Sequence, residues 1–402
     1  MTAIATPARP GTRLAARQLL PLGLIFLAVG LSTAMVGPFL TLFLTRAVHA
    51  APLQVTAFMI AAPLSSVLVS TVVGRLSDRH PIRRQLIIAA GAIGCGGALA
   101  TAFLRDYWIL LALTVTATAA AGSLVPQLFA YVRTALHGSD RAAMTTSSLR
   151  TVFSLSWVAG PFVATVLIAA GGFRLSYGVA SAMYALAALV AWLLLPPGSA
   201  APAAGPDFPE AVSGPAADAP RRVVRLTVAG FALLMCAGNL GVQAMALLVT
   251  TDLGGDIGDS GLILGVCAAL EVPLMLGFGW LTTRVPLRRL ILTGPLFAVA
   301  YALAVAASAH VWQVVAAQLL AASTVSVVQG LGVSYMQEML PRHPGRASTL
   351  FMNAFPAGLM LSGPILGVAQ HVGYRSAYLA AAVLALLALI LLKQARVRVA
   401  PR

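Results

Sequence analysis

Apolar stretches of about 20 residues, the length a helix needs to cross a bilayer, recur along the whole chain. They lie near residues 19–45, 54–74, 86–104, 107–132, 143–170 and 175–195, and again near 226–250, 260–282, 290–308, 311–337, 347–370 and 375–393. Short polar or basic loops separate them. A membrane β-barrel would instead show segments of about 10 residues with alternating polarity. In hydrocarbon every backbone N–H and C=O must find its partner within the segment, so these stretches are expected to be helices. The pattern predicts an all-α membrane protein with twelve transmembrane helices.

The twelve spans divide into two sets of six. GRLSDRHPIRR, Gly74 to Arg84, recurs 205 residues later as GWLTTRVPLRR, Gly279 to Arg289, each copy between two apolar spans. Gly160-Pro161 in span five is answered by Gly363-Pro364 in span eleven, and GGFRLSY (Gly171 to Tyr177) by VGYRSAY (Val372 to Tyr378). A repeat at half the chain length means two pseudo-symmetric six-helix bundles, an arrangement typical of secondary transporters with parallel repeats. Residues 1–195 form the first bundle and 226–402 the second. Between them, residues 196–225 are rich in Pro, Ala and Gly and carry Asp207, Glu210 and Asp218. That composition cannot form a packed core and reads as a flexible linker.

Composition narrows the class. Charged residues are 9% of the chain and hydrophobic ones 59%, against about 25% charged in soluble domains. The net charge of +15 does not point to nucleic acid, because the basic residues are spread over loops between apolar spans. Of the 26 arginines and lysines, 21 fall on one side of the predicted topology and four (Arg46, Arg105, Arg174 and Arg375) on the other, with Arg150 inside a span. The excess of positive charge marks the cytoplasmic side, so both termini are expected in the cytoplasm of a multi-pass membrane protein. No nucleotide-binding loop, metal-ligand cluster or His-Asp or Cys-His set is present. The chain is expected to be a non-enzyme without cofactor or metal, and to work as a monomer. Cys95, Cys236 and Cys267 lie in apolar segments and read as small packing residues.

Ionisable residues inside a membrane are costly and usually functional. Glu271, about twelve residues into span eight and roughly halfway across at 1.5 Å per residue, suits reversible protonation and is the candidate proton-coupling group. Glu338, at the end of span ten, is close enough in sequence to Arg342 and Arg346 for a loop-anchoring ion pair. Arg150 sits about two turns into span five. The six histidines fall in loops or at span ends and supply no relay at mid-depth. The amides Gln127, Asn239, Gln243, Gln329 and Asn353 lie at or near central depth. With the aromatic residues Phe39, Trp157 and Phe355 they are candidate ligands and platforms of a polar pocket with apolar walls. They are equally suited to gluing helices together.

GRLSDRHPIRR resembles the signature loop of the major facilitator superfamily, with its leading Gly, its Leu and Asp, and its basic end. The resemblance implies the major facilitator fold. It also implies a conformational latch formed by Gly74, Asp78, Arg79, Arg83 and Arg84, with Gly74 permitting close helix approach and Asp78 finding a helix N-terminus or an arginine across the interface. The second copy carries Thr283 in place of Asp78. SLSWVAGP, Ser154 to Pro161, resembles the Gly-Pro motif of efflux-type members, where Gly160 and Pro161 bend the helix. PFLTLFLTR (Pro38 to Arg46), VPQLFAYVR (Val125 to Arg133), SSLRTVFSLSWVAGP (Ser147 to Pro161), LEVPLML (Leu270 to Leu276) and YMQEMLPRHPGRASTLFMNAF (Tyr335 to Phe355) look like the bacterial sugar efflux transporter family. That likeness implies proton-driven export of saccharides or sugar analogues across the bacterial inner membrane. Arg150 and the amides are then candidate ligands of the sugar, and Arg150 is equally suited to counter Glu271 across the halves or to brace the cytoplasmic gate. A proton-coupled multidrug exporter is the competing expectation.

Overall fold

The computed structural model describes residues 16–80, 82–135, 142–196 and 218–395. Among these the only regular elements are helices. Eleven are long and apolar enough to cross a membrane. The longest, Ala142–Leu194, runs for 53 residues, about 80 Å if straight against a hydrocarbon core of about 30 Å. It is not straight. Gly171 (φ −151°, ψ 19°) and Gly172 (φ 66°, ψ −167°) leave helical geometry, and the positive φ at Gly172 suits a residue without a Cβ. The chain folds back there: Ser156 donates to the Leu27 carbonyl and Ser32 to the Ala180 carbonyl. Leu149 and Leu195, from the two ends, share one core with Leu22. Spans five and six are thus two antiparallel helices, which makes twelve.

Span one is Ala16–Val36, continued by a tight turn at Gly37–Phe39 and a short helix Leu40–Arg46. Pro38 has no N–H to give to the preceding turn, which explains the break. Spans two and three are Pro52–Arg79 and Arg83–Phe103. Span four runs from Tyr107 to Ala135 through a widened π turn at Thr114–Thr118. Span seven is Arg221–Thr251, span eight Ile257–Leu281, span nine Leu287–Ala306 and span ten Val311–Met339. Span eleven is Pro344–Met352 and Ala354–Val372, and span twelve Arg375–Gln394. Helix seven begins at Arg221, inside the expected linker, because arginine is a good helix former and Pro220 marks the helix start.

Small residues let these helices approach. A Cβ on Gly160 would lie 2.5 Å from the Ala34 Cβ, and one on Gly30 2.6 Å from the Ser156 Oγ, so spans one and five cross almost backbone to backbone. In the second half Gly358 plays this part, 2.6 Å from the Cys236 nitrogen across spans eleven and seven. Gly363, the sequence counterpart of Gly160, instead abuts Met59 of span two in the other half.

Candidate functional site

Both halves contribute to one interface, and its seams lie at the end of the molecule away from the basic hairpins. Gly261 packs on Thr165, Gly363 on Met59 and Gly367 on Thr56. Thr56 Oγ1 donates to the Gly363 carbonyl at 3.2 Å, and Arg46 to Thr250 Oγ1 at 2.7 Å. A buried cluster joins Met35, Phe39, Leu42, Ala164 and Ile168 of the first half to Ala246 and Leu247 of the second. At the hairpin end, among the described residues, the buried cores each belong to one half alone, and a Cβ on Gly74 or Gly279 would meet no atom within 4 Å. Among the described residues the halves share hydrogen bonds and a buried core at one end and no buried core at the other, which reads as sealed at the first and open at the second.

The close helix approach expected at Gly74 is not made, since no atom lies within 4 Å of where its Cβ would be. Arg79 is exposed, and the side chain of Asp78 lies outside the described residues. Arg83 and Arg84 turn back into their own half, with Arg83 donating to the Ala130 carbonyl at 3.2 Å and Arg84 to the Trp192 carbonyl at 2.5 Å. Arg288 does the same in the second half, reaching Leu392 and Lys393 carbonyls at 3.3 and 3.1 Å. Each of these last two arginines has a tyrosine beside it, Tyr131 for Arg84 and Tyr335 for Arg288. Both correspondences span 204 residues, one fewer than the sequence repeat. The helix after the second hairpin starts at Leu287, 204 residues after Arg83 and so one residue earlier than the repeat would place it. These arginines staple the last carbonyls of spans six and twelve, orphan acceptors that a guanidinium satisfies well.

Between the sealed end and the open end lie the polar residues singled out in the sequence. Gly261 against Thr165 and Gly265 against the Val158 carbonyl set the antiparallel register of spans eight and five. Carried on, it places Glu271 level with about residues 152–155 of span five. Arg150 follows one turn nearer the open end, but its side chain lies outside the described residues. Glu271 is half-buried, and its carboxylate makes no hydrogen bond or ion pair to another described residue. Its backbone carbonyl accepts a bond from Ser326 Oγ at 3.0 Å, and Gly330 admits Met275 one turn further on, so span ten holds the backbone around Glu271.

Gln329, on the same stretch of span ten, is exposed, as are Asn353 and Phe355 on span eleven. Asn353 interrupts span eleven between its two helical pieces. Gln127 is buried with Oε1 unpartnered, and Asn239 has its Nδ2 buried without a partner, among the described residues. Unpaired buried amides are rare in folded proteins, and such atoms can receive a hydroxyl. Trp157 is half-exposed below the break in span one, its ring 3.9 Å from where a Gly37 Cβ would be.

Two candidates are occupied otherwise. Phe39 is 2% exposed, in the core that seals the halves, and presents no open face. Gln243 donates Nε2 to the Gly37 carbonyl at 3.2 Å and accepts from Thr41 Oγ1 at 2.8 Å. Thr41 and Gly37 were not singled out in the sequence, although Gly37-Pro38, which breaks span one, was visible there. Glu338 is exposed and makes no ion pair with a described residue. Its expected neighbourhood is taken by Asp218, which binds His343 Nδ1 at 2.6 Å and the Arg342 backbone N–H at 3.1 Å. Partial burial pushes the Asp218 carboxyl up, but the bonds from His343 and Arg342 outweigh it and hold it below the ordinary value.

The Major Facilitator Superfamily model matches residues 22–305 and 226–401. The chain is 35% identical, over 92% of its length and 95% of the relative's, to a Deinococcus radiodurans protein provisionally named a sugar efflux transporter. It is 31% identical to sugar efflux transporter A of Dickeya chrysanthemi, over 86% of this chain and 88% of that one. With sugar efflux transporter A of Escherichia coli K12 it shares 30%, over 92% and 93%. Among solved structures, a single-residue variant of the nucleoside transporter NupG superposes with a TM-score of 0.76 at 11% identity, over 94% of this chain and 99% of that one. A bacterial homologue of the human lysosomal transporter Spinster gives 0.74 at 14%, over 94% and 96%. These two likenesses speak for the fold. The chain, a multi-pass membrane protein, belongs to the Major Facilitator Superfamily and groups there with the bacterial sugar efflux transporters.

Proposed function

We propose that the protein exports sugars or sugar analogues across the bacterial cytoplasmic membrane in exchange for protons, by alternating access of its two halves. The observation that carries this reading is the combination of a sealed end, an open end and a polar mid-depth between them. With both termini and the basic hairpins in the cytoplasm, the state described here faces inward. A saccharide enters from the cytoplasm and meets Gln329, Asn353 and Phe355, which are exposed, and beyond them the unpartnered amides of Gln127 and Asn239. Trp157 offers an aromatic face and Arg150 a guanidinium, and together these orient the sugar hydroxyls.

Glu271 carries the coupling proton. One inward proton at 100 mV supplies about 2.3 kcal/mol and each pH unit about 1.4 kcal/mol, enough to sustain a several-hundred-fold sugar gradient. Asp78 and its hairpin act on the opposite transition, latching the halves when the cytoplasmic end closes.

Vesicles with an imposed pH gradient test the reading. Glu271→Gln should abolish uphill sugar movement and keep downhill exchange, since the amide mimics the protonated acid. A variant that still concentrates sugar uphill places the coupling group elsewhere. Wild-type vesicles that move apolar drugs and no sugar would overturn the substrate class.

A further inference from the structure

We propose that Gln243 is the outer gate of this transporter: its amide holds the sealed end shut by clamping span seven onto the break in span one. The inference rests on the alternating-access reading and deepens it by assigning what one side of the cycle must break. By its depth in span seven Gln243 is a candidate sugar ligand, yet its amide is spent on the other half of the protein. Nε2 donates to the Gly37 carbonyl and Oε1 accepts from Thr41 Oγ1, and the side chain is 7% exposed. Arg46 to Thr250 is an exposed bond, which water and salt weaken. The Gln243 clamp is buried, where a polar group must keep its partners or bear the cost of desolvation.

The local backbone explains why the clamp closes here. Pro38 interrupts span one, and the tight turn at Gly37–Phe39 leaves the Gly37 carbonyl bonded to the Leu40 N–H. A carbonyl oxygen has two lone pairs, and the second is presented sideways, towards span seven. Thr41 sits one turn further on, so its hydroxyl and the Gly37 carbonyl offer one donor and one acceptor to the same amide. Span seven has no proline and runs unbroken from Arg221 to Thr251. A jointed helix therefore closes against a rigid one. Around the clamp the seams are Gly261 on Thr165 and Gly367 on Thr56, with one side-chain bond, Thr56 Oγ1 to the Gly363 carbonyl. Gln243 differs in being buried and in holding two bonds across the halves on one amide, both of which it must exchange for water before the outer end opens.

The test is a distance measurement across the sealed end. Cys95, Cys236 and Cys267 are replaced by alanine, and spin labels are placed at Ala51→Cys and Ala309→Cys, both exposed positions on opposite halves at that end. In the wild type, short and long distances report the sealed and opened states, and a pH change or added lactose alters their ratio. Gln243→Leu keeps the volume and removes both bonds. The opened-to-sealed ratio should rise about 5- to 150-fold, the range for two hydrogen bonds. Thr41→Val removes one bond and should give the smaller rise by itself, and nothing further on the Gln243→Leu background, because the two act on one clamp. If Gln243→Leu leaves the ratio unchanged while the wild type populates both distances, the gate assignment is wrong and alternating access stands. A single distance in the wild type under every condition overturns alternating access itself. Equal, additive shifts from the two substitutions would mean independent packing effects and would also overturn the clamp.

Discussion

The crossing of spans one and five is set by Gly160, and adding a single methyl group there should be measurable. In Gly160→Ala the new Cβ would stand 2.5 Å from the Ala34 Cβ, 3.2 Å from its carbonyl carbon and 3.3 Å from its Cα. Carbon atoms rest at about 3.5–4.0 Å, so the helices must separate by about 1 Å. The obstacle is backbone and Cβ, which have no rotamer to change. Overpacking of this kind costs about 1–3 kcal/mol, and its rigid setting argues for the upper part of that range. Replacing glycine by alanine inside a helix returns about 1 kcal/mol, leaving a net loss of about 1–2 kcal/mol. The separation would also strain the Ser156 bond to the Leu27 carbonyl and the Gly30 contact with Ser156. Thermal unfolding of the purified protein in detergent reads the loss as an earlier transition. The compensating Ala34→Gly removes the shortest contact, so the double variant should unfold no earlier than Ala34→Gly alone, a coupling of about 1–3 kcal/mol. A Gly160→Ala protein that melts with the wild type, or a loss that Ala34→Gly does not repair, would refute close approach as the reason for glycine here.

Two further outcomes follow from the arginine staples and the linker clip. Arg84→Gln and Arg288→Gln should each loosen the end of the last helix in their own half only. Hydrogen exchange should rise around Trp192 in the first variant and around Leu392 and Lys393 in the second, and equal effects on both halves would count against intra-half staples. For Asp218 the folded carboxyl lies below its ordinary value, so its contribution is present above the unfolded pKa of about 3.9 and is lost as pH falls through the lower folded value. Protection of the Ala219 amide, bonded to the Met339 carbonyl, should persist through mildly acidic pH and fall only below the ordinary carboxylate range. Asp218→Asn should remove that step, and an unchanged acid profile in this variant would show that the clip does not hold the linker end.

Hydropathy and loop charge are properties of consecutive residues, and they carried the architecture. An apolar run of about 20 residues has few ways to satisfy its backbone in lipid, so the spans could be read one by one, and the duplicated hairpin showed two halves. Even the fold-back inside Ala142–Leu194 was written in Gly171-Gly172, at the point where a bilayer-length count places it. The polar residues at mid-depth were legible for the same reason: Glu271 and the amides of Gln329 and Asn353 stand out against apolar neighbours. Their occupation was not legible. Gln243 and Asn239 are amides four residues apart on one helix, yet one is locked to Gly37 and Thr41 and the other keeps an unpartnered nitrogen. What separates them is a contact with a segment about 200 residues away in the chain. The same holds for Phe39, whose burial comes from Ala246 and Leu247 of the other half, and for Arg84, which the hairpin motif presents as a latch and packing turns into a staple. A one-residue shift in the start of the helix after the hairpin goes with Arg288, not Arg289, being in the matching place. Which end of the molecule is shut is likewise set by how two homologous bundles lean on one another. Close-packed seams of glycine on backbone decide that within fractions of an ångström, a scale at which residue type and order along the chain are silent.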